Sequence, residues 1–257
     1  MTTYSTTFRQ TTQSDNNQMT TVSSPVHWLR DGWKDLIAAP MSSLLVGGSF
    51  TLLCAVAYAT IAAQPVLTTT VLALLLLISP FIAATAYFIA QQHEQKRAPS
   101  LHDALGDVRS RALSIGLFSI LCTLILGAWV RVSSIAFALY YGTLGESAAY
   151  LARTWTSGFD FPAMLVFLTL TGLVLALTLF AIGAIALPMI ADQNSNVFTA
   201  VRKGFDTLIN NAATMMVWIV LLTAAIATAL LSGLVLMPVV FPLLAYATWH
   251  SYRQLAG

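Results

Sequence analysis

Charge is what this sequence has least of. Twelve Lys and Arg and ten Asp and Glu make up 9% of 257 residues, against roughly 25% in soluble domains. With 57% apolar residues and a mean hydropathy of +0.76, a water-soluble globule is excluded. The net charge of +2 is too small and too scattered to hold a polyanion, and no basic face interleaved with aromatic residues is present, so nucleic acid is not the expected partner. Only two cysteines occur. Cys54 and Cys122 both lie in apolar runs, form no CxxC pair and have no His, Asp or Glu at metal-ligand spacing, which excludes a disulfide framework and a zinc site. The four histidines, His27, His93, His102 and His250, are too few and too peripheral for a haem–copper core. No GxSxG, HExxH, Walker loop or strand-borne GxGxxG is found. Neither a catalytic residue, a metal nor a cofactor is expected, and the chain does not read as an enzyme.

What the sequence has is long apolar runs. Residues 1–25 are rich in Thr, Ser, Gln and Asn and predict a disordered polar tail, without the apolar core and cleavage site of a secretory signal. Six apolar segments follow, near 41–63, 69–91, 112–135, 162–190, 212–232 and 234–250, each close to the ~20 residues that cross a bilayer as a helix. Short turns at Gln64-Pro65 and Ser232-Gly233 make the first and last pairs antiparallel hairpins. A longer stretch, 142–160, joins the middle pair. The expected fold is all-α: a six-helix transmembrane domain over 26–257, built as three hairpins. With the N-terminus cytoplasmic, ten of the twelve Lys and Arg fall inside, and only Arg131 and Arg153 outside, so both termini are placed in the cytoplasm.

A weak repeat precedes each hairpin. Leu29-Arg30-Asp31-Gly32-Trp33-Lys34-Asp35-Leu36-Ile37 and Val201-Arg202-Lys203-Gly204-Phe205-Asp206-Thr207-Leu208-Ile209 match in register, and Leu101–Arg111 is a weaker third copy. Apolar residues at helical spacing with charges between them predict helices lying in the membrane interface.

The ten acidic residues all avoid the middles of the spans, which disfavours a proton- or cation-coupled carrier. Arg131 lies twenty residues beyond Arg111, about 30 Å along a helix. It reads as an outer-interface anchor beside Trp129 or, with Arg153, Glu146 and Asp160, as part of an outer-rim polar cluster. Pro80, Pro238 and Pro242 each remove a helical hydrogen bond and predict kinks around a small-molecule cavity. Trp33, Arg202, Phe205, Trp249 and His250 are candidate cytoplasmic docking residues, His250 with Trp249 and Tyr252 reading first as a membrane-surface anchor. Ser43, Gly47, Gly48, Ala225 and Ala229 suit close helix crossings. An enzyme acting on lipid would require residues such as His250, Arg202 and Asp206 to converge.

Leu187-Pro188-Met189-Ile190-Ala191-Asp192, then Ala200, Asn210-Asn211, Met215-Met216-Val217-Trp218 and the tail Phe241–Arg253 resemble an uncharacterised bacterial family of predicted integral inner-membrane proteins. Trp33, Asp35, Leu36 and Pro40, with Trp129-Val130-Arg131 and Ala138–Gly142, are similar to the same family, so the resemblance spans nearly everything after about residue 28. Some relatives carry the label cytochrome c oxidase subunit I, which the histidine inventory opposes. Where the family's tail has Gly-His, this chain has Ala245-Tyr246, which removes a second histidine one turn before His250. The resemblance implies residence in the bacterial inner membrane and an association with respiratory enzymes, and no reaction. Two functions are therefore expected. The first is a non-catalytic accessory, assembly or scaffold component of a larger membrane complex, with the lipid bilayer and other inner-membrane proteins as partners. The alternative is a channel or carrier for a small neutral or apolar molecule.

Overall fold

The computed structural model describes residues 24–141 and 161–256, and every regular element among them is helical. In chain order these are α1 (Ser24–Ala38), α2 (Pro40–Ala63), a 3-10 turn at Pro65–Leu67, α3 (Thr68–Glu94), α4 (Leu101–Ser110), α5 (Ala112–Tyr141), α6 (Phe161–Gln193), α7 (Val197–Asn210), α8 (Ala212–Leu231) and α9 (Met237–Leu255). Most of the expected polar tail, and the 142–160 connection, lie outside the described residues. Ser24 and Pro25, read as tail, instead open α1 and are buried.

Five stretches are long and apolar enough to cross a membrane: Pro40–Ala63, Pro65–Glu94, Ala112–Leu139, Leu165–Gln193 and Ala212–Leu231. Between 6% and 22% of each apolar window is buried inside the protein, so the rest needs a solvent of hydrocarbon. Leu52, Leu74, Leu124, Val174 and Val220 are among the large side chains facing outward, a surface water would not tolerate. The sixth expected crossing is less apolar. α9 has 19 residues, about 28 Å at 1.5 Å per residue, but its last turns, Thr248-Trp249-His250-Ser251-Tyr252-Arg253, are polar-edged and mostly buried against other helices.

The weak sequence repeat has a structural counterpart. One residue, Ala39, Arg111 or Asn211, separates each of α1, α4 and α7 from the long helix that follows. Each short helix lies against a long helix other than the one it leads into: α4 on α3, α7 on α6, and α1 on α9. The last contact joins the beginning of the described chain to its end, so the three units close into a ring with α3, α6 and α9 meeting one another at its centre. A small residue makes each approach. A Cβ at Gly32 would lie 2.8 Å from the Ala247 nitrogen and 2.9 Å from the Leu243 oxygen, and one at Gly204 would lie 2.4 Å from the Ala181 oxygen. Ala104, wholly buried, holds the same register in the copy that read as weaker.

Between neighbouring units, α2 packs closely on α9 and α5 on α3, whereas α8 scarcely touches α6. The α2–α9 contact uses predicted small residues: Gly47 sits where a Cβ would be 2.0 Å from the Pro238 oxygen, and Ser43 Oγ is 2.8 Å from Tyr246 Oη. Ala229 is wholly buried, but Gly48 faces open space among the described residues. The turn at Ser232-Gly233 is tight, with Gly233 at φ +66° and Leu234 at +70°. Glycine takes that conformation without steric cost; leucine does not.

Candidate functional site

At one end of the ring the closing helices are tied together by their last charged residues. The Arg253 guanidinium donates to Glu94 Oε1 at 2.9 and 3.1 Å and approaches Asp192 Oδ2 at 3.5 Å. These three residues lie in the last turns of α9, α3 and α6, so one cation neutralises two carboxylates where the three helices meet. The aromatic edges of α9 complete the arrangement. Trp249 Nε1 donates to Glu94 Oε2 at 3.2 Å, and Tyr252 Oη donates to Asp192 Oδ2 at 2.8 Å. Gln91 Nε2 donates to Asp192 Oδ1 at 2.9 Å.

Asp35 brings α1 into the same region. It is 5% exposed, and a carboxylate buried that far needs partners. His250 Nε2 meets its Oδ2 at 2.7 Å, and His93 Nδ1 meets its Oδ1. One carboxylate thus links α1, α3 and α9. Trp28 Nε1, donating to Gln254 Oε1 at 2.6 Å, is a second tie between α1 and α9. No group of three His, Cys, Asp or Glu among the described residues is arranged to hold a metal ion.

Farther into the apolar region the packing opens. An open-sided chamber of about 350 Å³ lies between Ser79, Pro80, Ala83 and Tyr87 of α3, Phe118 and Cys122 of α5, Phe180 and Gly183 of α6, Leu222 of α8 and Phe241 of α9. An adjoining lobe of about 330 Å³ runs between α2, α8 and α9, and the two share Phe50, Ala83, Tyr87, Leu222, Phe241 and Thr248. Phe50 and Phe241 stack at 3.8 Å between centroids, forming a common wall. Among the described residues, no Asp, Glu, Lys, Arg or His lines either lobe. Leu179, Phe180 and Gly183 of α6 face Leu222 of α8 across the chamber at a seam where, among the described residues, neighbouring units barely meet. A Cβ added at Gly183 would find no atom within 4 Å.

The predicted residues are distributed between these features. Pro80 lies inside α3 and lines the chamber, where it leaves the Leu76 carbonyl without its helical donor. Pro242 is interior to α9 and buried, but Pro238 is a correction: it occupies the first turn of α9, where a missing N–H breaks no helical bond. Trp249 is a second correction. It is wholly buried, as is Tyr252, so neither serves as an exposed docking or surface-anchoring group; the face of α9 that carries them packs inward, with their polar edges on Glu94 and Asp192. His250 is largely covered and bonded to Asp35. Trp33, Arg202 and Phe205 are exposed on α1 and α7, and Arg202 pairs at 3.8 Å with Asp206 on its own helix, so His250, Arg202 and Asp206 do not form one site. Arg131 is exposed on α5; Arg153, Glu146 and Asp160 lie outside the described residues.

Sequence reasoning missed Asp35, His93, Glu94, Asp192 and Arg253 as a connected set. The available signal was positional: each closing helix carries a charged residue in its last turn, Glu94, Asp192 and Arg253. No curated protein and no solved structure matches this chain. Residues 66–192, from the turn before α3 to the last turn of α6, match the model of a family described as predicted integral membrane protein (DUF2189).

Proposed function

We propose that this protein is a non-catalytic membrane protein that crosses the bilayer six times and takes a small neutral or apolar molecule from the bilayer into the chamber between its hairpins. The chamber is the observation that carries this reading. It is walled by apolar side chains at membrane depth, large enough for a chain-like molecule, and bordered by the α6–α8 seam. The absence of Asp, Glu, Lys, Arg and His from its walls among the described residues fits a ligand without net charge, since an unpaired charge in such surroundings is costly.

The sixth crossing is α9, and the support for it is geometric. Its last turn bonds the ends of α3 and α6 and the start of the described chain, which an even number of crossings allows. The positive-inside pattern favours a cytoplasmic location for that end, and the resemblance drawn from the sequence favours the bacterial inner membrane. An accessory role in a larger complex is the second reading, favoured by the exposed aromatic residues Trp33, Phe198 and Phe205 on α1 and α7. Both readings have direct tests. Protein reconstituted in nanodiscs is expected to bind undecane saturably, and Gly183→Trp, which fills the chamber from its open side, to abolish it. Binding by the variant equal to that of the wild type would refute the chamber reading, and a stoichiometric protein companion lost on Trp33→Ala and Phe205→Ala would establish the accessory one.

A further inference from the structure

The chamber walls contain two hydroxyls whose hydrogen bonds go nowhere. Most Ser and Thr side chains in these helices bond a carbonyl one turn back, as Thr85 does to Phe81 at 2.9 Å and Thr248 to Leu244 at 2.7 Å. Tyr87 and Ser79 do not: among the described residues neither hydroxyl has a hydrogen-bond partner. Tyr87 is 4% exposed and lines both lobes. Its ring is held against Trp249, centroids 6.3 Å apart, and Trp249 is itself fastened to Glu94. The phenol is therefore a fixed donor in surroundings where an unmade hydrogen bond costs more than in water.

Its depth is also defined. Tyr87 precedes Glu94 by seven residues, about 10 Å below the polar end, and Ser79 lies about 12 Å deeper on the same face of α3. A ligand oxygen at Tyr87 would leave an apolar chain to run past Ala83 and Pro80 toward Ser79, with the seam between Gly183 and Leu222 as the way in from the bilayer.

On these grounds, and resting on the chamber reading above, we infer that the ligand is a neutral single-chain amphiphile with a carbonyl oxygen, which accepts a hydrogen bond from Tyr87 while its chain fills the apolar lobes. A charged headgroup is disfavoured because no charged side chain among the described residues lines the chamber to neutralise it. The hydroxyl alone discriminates such a molecule from the hydrocarbon of the same shape, since only the oxygen-bearing ligand satisfies it.

The test uses the full-length protein in nanodiscs, with 2-undecanone and undecane as probes. Occupancy is read by native mass spectrometry and corrected for each probe's partition into empty nanodiscs. The wild type is expected to favour the ketone roughly tenfold, the worth of one net hydrogen bond. Tyr87→Phe, which keeps the ring and its contact with Trp249, should bind undecane as before and lose the preference. Ser79→Ala should leave the preference largely in place. A ketone preference that survives Tyr87→Phe would overturn this inference while leaving the chamber reading standing. Saturable binding of neither probe by the wild type would remove both.

Discussion

At the residue scale, one carboxylate illustrates how position decides what a charge does. Asp35 and Asp107 occupy the same register of the short-helix repeat, yet Asp35 is buried between two imidazoles and Asp107 is exposed. A hydrogen bond to a charged group contributes about 1.5–3 kcal/mol. Asp35→Ala should therefore destabilise the protein by about 2–3 kcal/mol, while Asp107→Ala should stay within about 0.5 kcal/mol. Thermal unfolding in detergent measures both, and equal effects would mean that the Asp35 linkage contributes nothing. Combining Asp35→Ala with His250→Ala should cost less than the two single losses summed, because both remove one interaction. The pair was not legible beforehand. Asp35 and His250 are 215 positions apart, and nothing local to either residue indicates a meeting that depends on the ring closing.

At the element scale, the short helices were the more legible part. Their spacing of apolar and charged residues predicted three short amphipathic helices, and α1, α4 and α7 are helices at those positions. Periodicity could not show what their inner faces meet, because Gly32, Ala104 and Gly204 are small for a reason that lies on another helix. Gly32→Val and Gly204→Val would drive side-chain atoms into the backbones of α9 and α6, costing about 1–3 kcal/mol or more. Gly106→Ala meets open space, and a helical Gly replaced by Ala gains up to about 1 kcal/mol. Unfolding temperatures should fall for the first two variants and hold or rise for the third. A tolerant Gly32→Val would show that α1 does not approach α9 as described. The proline readings divide for a related reason. Pro80 is flanked by helix on both sides and lines the chamber, whereas Pro238 comes just after a turn whose limits the apolar run of residues 234–250 concealed.

At the scale of the whole molecule, the hydropathy pattern located the long helices and the structure organised them. Five satisfy the requirements of length and apolarity for a crossing; α9 trades apolar surface for the groups that fasten it to α3, α6 and α1. That trade explains why the last segment read as an ordinary span with an anchor at its end. The side chains taken for the anchor are turned inward, and they hold the ring closed above the chamber. Every functional proposal made for the protein depends on α9 returning across the bilayer, so that α1 and the ends of α3, α6 and α9 share one side. The most direct measurement is single-cysteine labelling with a membrane-impermeant maleimide, in a background with Cys54 and Cys122 replaced by alanine. Gly233→Cys, in the α8–α9 turn, should label in intact spheroplasts, and Gln254→Cys only after the membrane is opened. Labelling of both from the same side would contradict the account, because α9 would then not cross and the ring could not close.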